Sequence, residues 1–197
     1  MVPRRSPSRD YVPPDIHANH NQGKRNMAIS MYQASVPVFT KMLDSLNAVI
    51  EKAEAHCAAK KVDPSALINY RLYPDMFPFS RQIQIATIFG AGCPARLAGV
   101  DVPAFEDKET TFAELKARIK RVQDLNAALK PAQIDGSEDR EIKLTVGGNP
   151  VTLKGQPYLL HFALPHFFFH CTTAYDILRH NGIEVGKRDY IGKVPGM

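Results

Sequence analysis

The sequence predicts an all-α protein, a four-helix bundle that carries a small β-hairpin ahead of its last helix. Four stretches repeat apolar residues every three or four positions, the mark of helices with one buried side. One stretch, Glu141 to Lys154, alternates apolar and polar residues around Gly147-Gly148, the mark of a hairpin. With 44% apolar residues over 197 positions, the chain has enough apolar surface for one packed core.

The first helix is predicted from about Ser35 to Lys61, where Phe39, Met42, Leu43, Leu46, Val49, Ile50, Ala53 and Cys57 share one side. Pro37 suits its first turn, which needs no backbone N–H, and Lys60 and Lys61 suit the negative end of the helix dipole. A loop with Pro64, Pro74 and Pro78 leads to a second helix that begins between Phe77 and Ser80. Phe79, Ile83, Ala86, Cys93 and Leu97 form its core stripe, Ile85 and Ile88 lie off that stripe, and Pro94 is expected to kink or break the helix. Thr111 and Glu114 make a capping box for a third helix, whose Phe112, Leu115, Ile119, Val122 and Leu129 run to a stop at Pro131. In the hairpin, Ile142, Leu144 and Val146 face one way, and Pro150 keeps the second strand at the surface. The last helix is predicted from about Pro157 to Asn181-Gly182, a left-handed glycine cap, with a bend at Pro165. Residues from Lys187 to Met197 read as a short polar tail.

Residues 1–26 hold Pro3, Pro7, Pro13 and Pro14 without periodicity, so they are read as a disordered or loosely attached tail ahead of a domain at 27–197. Much of the net charge of +5 sits in that tail, where Arg4, Arg5, Arg9, Lys24 and Arg25 face Asp10 and Asp15. The domain is left without a phosphate-binding surplus, which argues against nucleic acid as a partner. The amino terminus lacks the apolar region of a secretory signal. The longest apolar run, Tyr158 to Thr173, is broken by three histidines and Pro165 and is shorter than the roughly 20 residues of a membrane span. Cys57, Cys93 and Cys171 are odd in number and far apart, which fits reduced thiols and a cytoplasmic home.

The histidines are the candidates for chemistry. His161, His166 and His170 fall close together, and on a helix His166 and His170 lie about 40° apart. That spacing lets two imidazoles share one metal ion, whereas His161 points elsewhere. The competing reading is that two histidines on a packed helix hydrogen-bond to their neighbours. A catalytic metal takes three protein ligands, and no histidine lies between His56 and His161. A third ligand would have to come from His56, His180, Asp75 or Gln82. Phosphate-loop and nucleophile-elbow patterns are missing, and Cys171 points about 100° away from His170. No catalytic residue emerges, and enzyme status is not decided.

The stretches Ile29–Pro37, Leu72–Phe79 and Phe162–Gly192, above all the run from His170 to Gly182, resemble a bacterial family of unknown function. That family is similar to the DinB-like group of metal-dependent enzymes, and the resemblance spans about residues 27–192. It implies a four-helix bundle, often dimeric, in which one second-helix histidine and two last-helix histidines hold a divalent metal. Some relatives are thiol transferases. His166 and His170 match the last-helix pair, whereas the second helix offers Gln82, Gln84 or Thr87 where the histidine would stand.

The expectation is a cytoplasmic DinB-like protein with a central small-molecule pocket lined by His166, His170, Tyr175, Asp75, Gln82 and Thr87, its metal site degenerate. The alternative is a metal-dependent enzyme, of thiol-transferase or hydrolase type, using Zn, Ni, Mn or Fe held by His166 and His170. Ile85, Ile88 and one side of the last helix exceed what a monomer's core needs, so a homodimer is expected.

Overall fold

The computed structural model describes residues 29–196, and the tail expected over residues 1–26 lies outside the described residues. In chain order come α1 (Val36–Lys60), the short α2 (Pro64–Ile68), α3 (Phe79–Ala98), α4 (Phe112–Ala128) and the short α5 (Pro131–Ile134). A hairpin of β1 (Glu141–Val146) and β2 (Asn149–Lys154) follows, then α6 (Gly155–Tyr158), a π turn (Leu159–Ala163), α7 (Leu164–His180) and α8 (Lys187–Ile191). No helix among the described residues is long and apolar enough to cross a membrane.

The four long helices bury their predicted stripes against one another. α3 lies along α7 and against α4, while α1 lies against α4 and α7, which closes a four-helix ring around one core. Phe39, Leu43 and Ile50 of α1 meet Ile83 of α3, Leu115 and Ile119 of α4, and Phe167 and Leu178 of α7, all fully buried. Thr111 caps α4 as expected: its hydroxyl accepts from the Glu114 N–H at 3.2 Å, and Glu114 accepts from the Thr111 N–H at 3.0 Å.

The hairpin pairs Ile142 with Leu153 and Leu144 with Val151. Pro150 stands opposite Thr145 in a two-stranded ribbon, where its missing N–H removes little. The ribbon's exit is pressed onto the bundle. A Cβ on Gly155 would sit 2.0 Å from the Ser137 carbonyl oxygen, so only glycine fits there.

Two expectations need correction and a third, the bend at Pro165, gains its local detail. Pro94 does not break α3, which continues to Ala98. Pro94 cannot donate to the Gly90 carbonyl one turn back, but the buried Asn126 amide of α4 donates to that oxygen at 3.1 Å. A neighbouring helix supplies the missing hydrogen bond. At Pro165 the helix answers with the π turn, in which the Leu164 N–H reaches Leu159 and the backbone widens where the proline ring would crowd His161. The carboxyl-terminal segment is also not a loose polar tail throughout: α8 packs on α1, and Asp189 pairs with Lys52 at 2.7 Å.

Candidate functional site

His170 sits at the edge of the buried face of α7, 8% exposed, across from Gln82 of α3. The Gln82 amide nitrogen donates to the Phe77 carbonyl at 3.0 Å, which turns the amide oxygen toward His170. That oxygen can only accept, so His170 Nδ1 donates to it at 2.7 Å and carries the ring proton. The opposite nitrogen, Nε2, therefore holds a free lone pair. It has no hydrogen-bond partner among the described residues and is not sealed from solvent. Burial pushes the imidazole down to a pKa of about 4, helped by the nearby charges of His166 and Arg81. The ring is neutral at physiological pH.

His166 follows the same pattern one turn earlier but in the open. Its Nδ1 donates to the Phe162 carbonyl at 2.8 Å, again leaving Nε2 free. Its ring lies 4.9 Å from that of Phe89 and 4.4 Å from that of Phe162. Two imidazoles on successive turns thus have Nδ1 engaged by an oxygen acceptor and Nε2 without a partner among the described residues, His170 at the core's edge and exposed His166 against two aromatic rings.

The structure brings Gln82 into contact with His170 and places the other expected pocket residues apart from that hydrogen bond. Thr87 is buried under α4, where its hydroxyl accepts from Arg118 Nε at 2.7 Å. Tyr175 turns toward α8, with its ring 5.7 Å from Tyr190. Asp75 is exposed on the loop ahead of α3 and forms no ion pair or hydrogen bond among the described residues. His161 is exposed and joins neither imidazole.

A resident divalent metal of the kind the resemblance implies does not fit this donor set. Two imidazole nitrogens are available, whereas such a centre takes three protein ligands. Among the described residues, no group of three or more His, Cys, Asp and Glu side chains stands together to hold an ion. Gln82 stands on the helix expected to supply the missing ligand, but its oxygen is engaged by His170.

A second polar centre escaped the sequence reading. Arg118 lies on the buried face of α4 with its side chain 2% exposed. Its Nη1 donates to both Glu109 oxygens at 3.0 Å, and its Nη2 pairs with Asp107 at 2.7 Å and donates to the Gln84 carbonyl at 3.2 Å. The Phe105 ring lies 4.4 Å from its guanidinium. Arg81 completes the cluster by binding Asp107 and the Gln84 amide oxygen. Burial alone would raise the Asp107 pKa, but hydrogen bonds and charge from Arg81 and Arg118 outweigh it and hold the carboxyl below its ordinary value. The cluster pins the connector between α3 and α4 and forms walls of two clefts. One cleft is lined by Phe105, Glu109 and Arg121, the other by Phe77, Arg81 and Thr110. One signal was in the sequence: Arg118 falls three residues after Leu115 and four before Val122, squarely on the apolar stripe, where a cation needs partners.

The pKa of His170 sets a pH dependence. Its value is 6.5 in an unstructured chain and about 4 in the fold, so between these values the unfolded chain holds the extra proton. The neutral ring's contribution is therefore complete above about pH 6.5 and is lost as the pH falls toward 4. The shift is worth about 3 kcal/mol at most. Denaturant unfolding of wild type and His170→Gln at pH 7 and pH 4 is expected to show the wild type losing more than the variant, by up to about 3 kcal/mol. Parallel losses would mean that His170 titrates normally.

Comparison with known proteins places this architecture among relatives. A family model described as "Domain of unknown function (DUF1993)" matches residues 31–191. Among curated proteins there is no match. The crystal structure of a DinB family member protein from Shewanella denitrificans is similar, with 41% identity, a TM-score of 0.76, and coverage of 83% of this chain and 93% of that one.

Proposed function

The chain belongs to the DUF1993 family, a DinB-like family of unknown function, and on that premise we propose that it binds a small molecule where α3 meets α7, without a resident metal. The observation that carries this reading is the 2.7 Å hydrogen bond from His170 Nδ1 to Gln82. It fixes the tautomer and presents a neutral acceptor nitrogen at the edge of the core. A ligand with an N–H or O–H donor would bond to that nitrogen, while the Phe89 and Phe162 rings beside His166 offer it an apolar wall. The protein works in the cytoplasm, in keeping with its three free, buried cysteines.

The alternative of a metal-dependent enzyme, thiol transferase or hydrolase in type, has one observation in its favour. Both Nδ1 atoms are held by oxygen acceptors, an arrangement that metal-ligating histidines share. Elemental analysis of the protein, purified without a histidine tag, separates the two readings. The expected result is substoichiometric metal, together with thermal stabilisation by small molecules that is lost in His170→Ala. Stoichiometric Zn, Ni, Mn or Fe that disappears in His170→Ala would replace the binding reading with the enzyme reading.

A further inference from the structure

Arg81 links the two polar centres of the fold. It precedes Gln82 on α3, its charge bears on the His170 ring, and its Nη1 is engaged by Asp107 and by the Gln84 amide oxygen. Arg81, Ile85 and Phe89 recur every fourth residue, so they share one partly exposed side of α3. On α7, packed alongside, His170 bonds to Gln82 and His166 stacks on Phe89. The resulting strip has a guanidinium at one end and aromatic rings at the other. These helices add no other charge to it: α3 has none between Arg81 and Arg96, and the run from Gly155 to Tyr175 has none. Asp107 reaches Arg81 from the connector, where its φ of +57° is a left-handed conformation that few side chains other than Asn and Asp adopt. Its carboxylate serves Arg81 and Arg118 at once, and with Glu109 the two carboxylates cancel the two guanidinium charges.

We infer that Asp107 determines the specificity of the α3–α7 site: by neutralising Arg81 it reserves the strip for uncharged aromatic molecules that carry a hydroxyl or N–H, and it turns carboxylates away. The inference rests on the binding reading above and names its ligand class. A carboxylate brought to Arg81 would meet the Asp107 carboxylate on the same guanidinium, and like charges so placed repel. It would also offer no proton to His170 Nε2, which can only accept. A phenol, by contrast, donates to that nitrogen and sets its ring against the rings already gathered there. His166 touches Phe89 and Phe162, and Phe169, 56% exposed, stands edge-on to His170 at 5.2 Å. Asp107 touches no ligand in this arrangement; it acts through Arg81.

Titration of the full chain with phenol, anisole, cyclohexanol and benzoate at pH 7, followed by protein NMR, tests it. Phenol is expected to bind about tenfold tighter than benzoate and about fivefold or more tighter than anisole, which lacks the donor, and cyclohexanol, which lacks the ring. Asp107→Asn keeps a side chain that tolerates the left-handed backbone and removes only the charge. It is expected to raise benzoate affinity relative to phenol about fivefold or more, a change of ratio that a merely structural role would not produce. Should Asp107→Asn fail to fold, Arg81→Gln leaves the carboxylate uncompensated and is expected to lower that ratio at least threefold. An unchanged ratio in a folded variant overturns the inference. If benzoate or cyclohexanol binds the wild type as well as phenol and all binding is lost in His170→Ala, the inference falls and the binding reading stands. If no probe binds, both fall.

Discussion

Arg118→Ala is expected to destabilise the fold by about 3 kcal/mol, read as a shift in the denaturant midpoint at pH 7. Removing one partner of a buried ion pair costs about 3–5 kcal/mol, because the other charge stays behind in a poor solvent. The lower end applies here, since Asp107 and Glu109 keep 26% and 18% exposure and Asp107 retains Arg81. Three further groups lose a partner: the Thr87 hydroxyl, the Gln84 carbonyl and the face of Phe105. Arg118→Lys tests geometry against charge. A lysine reaches one carboxylate as a point charge but cannot fork to Glu109 while donating to Thr87, so it is expected to recover less than half of the loss. If Arg118→Ala cost under about 1 kcal/mol, the connector would be held by something other than this cluster.

Phe167→Ala is expected to cost about 3–5 kcal/mol, the range for truncating a buried aromatic ring. Phe167 is fully buried and meets Phe39 of α1 edge-on at a centroid distance of 4.8 Å. It also lies over Gly90 of α3, where Leu43 of α1 and Val122 of α4 converge, so all four long helices meet at its ring. Alanine there would open a cavity that no single side chain can refill. Phe167→Leu keeps most of the volume and is expected to lose roughly 1–2 kcal/mol, chiefly the aromatic pair and imperfect packing. Equal losses for the two variants would show that the site collapses around the smaller side chain.

Parts of the candidate site were legible and parts were not, for one physical reason. The spacing of His166 and His170 placed them on one side of a helix, because that relation depends on the backbone of a single element. Which imidazole is buried depends on where α3 lies, which the periodicity of α7 alone does not fix. Gln82 was named as a possible third ligand and a pocket residue, but its role as the acceptor that sets the His170 tautomer needed the Phe77 carbonyl that orients its amide. Tyr175 and Thr87 were expected beside the histidines. The structure turns Tyr175 to α8 and Thr87 to Arg118, since packing of distant segments takes them first.

By itself, the sequence determined where the helices run, where α4 is capped by Thr111 and Glu114, and where the hairpin turns. It also set the left-handed cap at Gly182, whose φ is +80°. These features depend on residues a few positions apart, so periodicity and capping chemistry decide them locally. Only the tertiary structure decided that α3 passes through Pro94, because the hydrogen bond that permits it comes from Asn126 of another helix. It alone decided that Arg118 can be buried, because its carboxylates arrive on a connector with no periodicity of its own. It also decided that Gln82, and neither Gln84 nor Thr87, is the residue of α3 that hydrogen-bonds to His170. Contacts between residues far apart in the chain leave no local pattern to read, and the chemistry of this protein rests on such contacts.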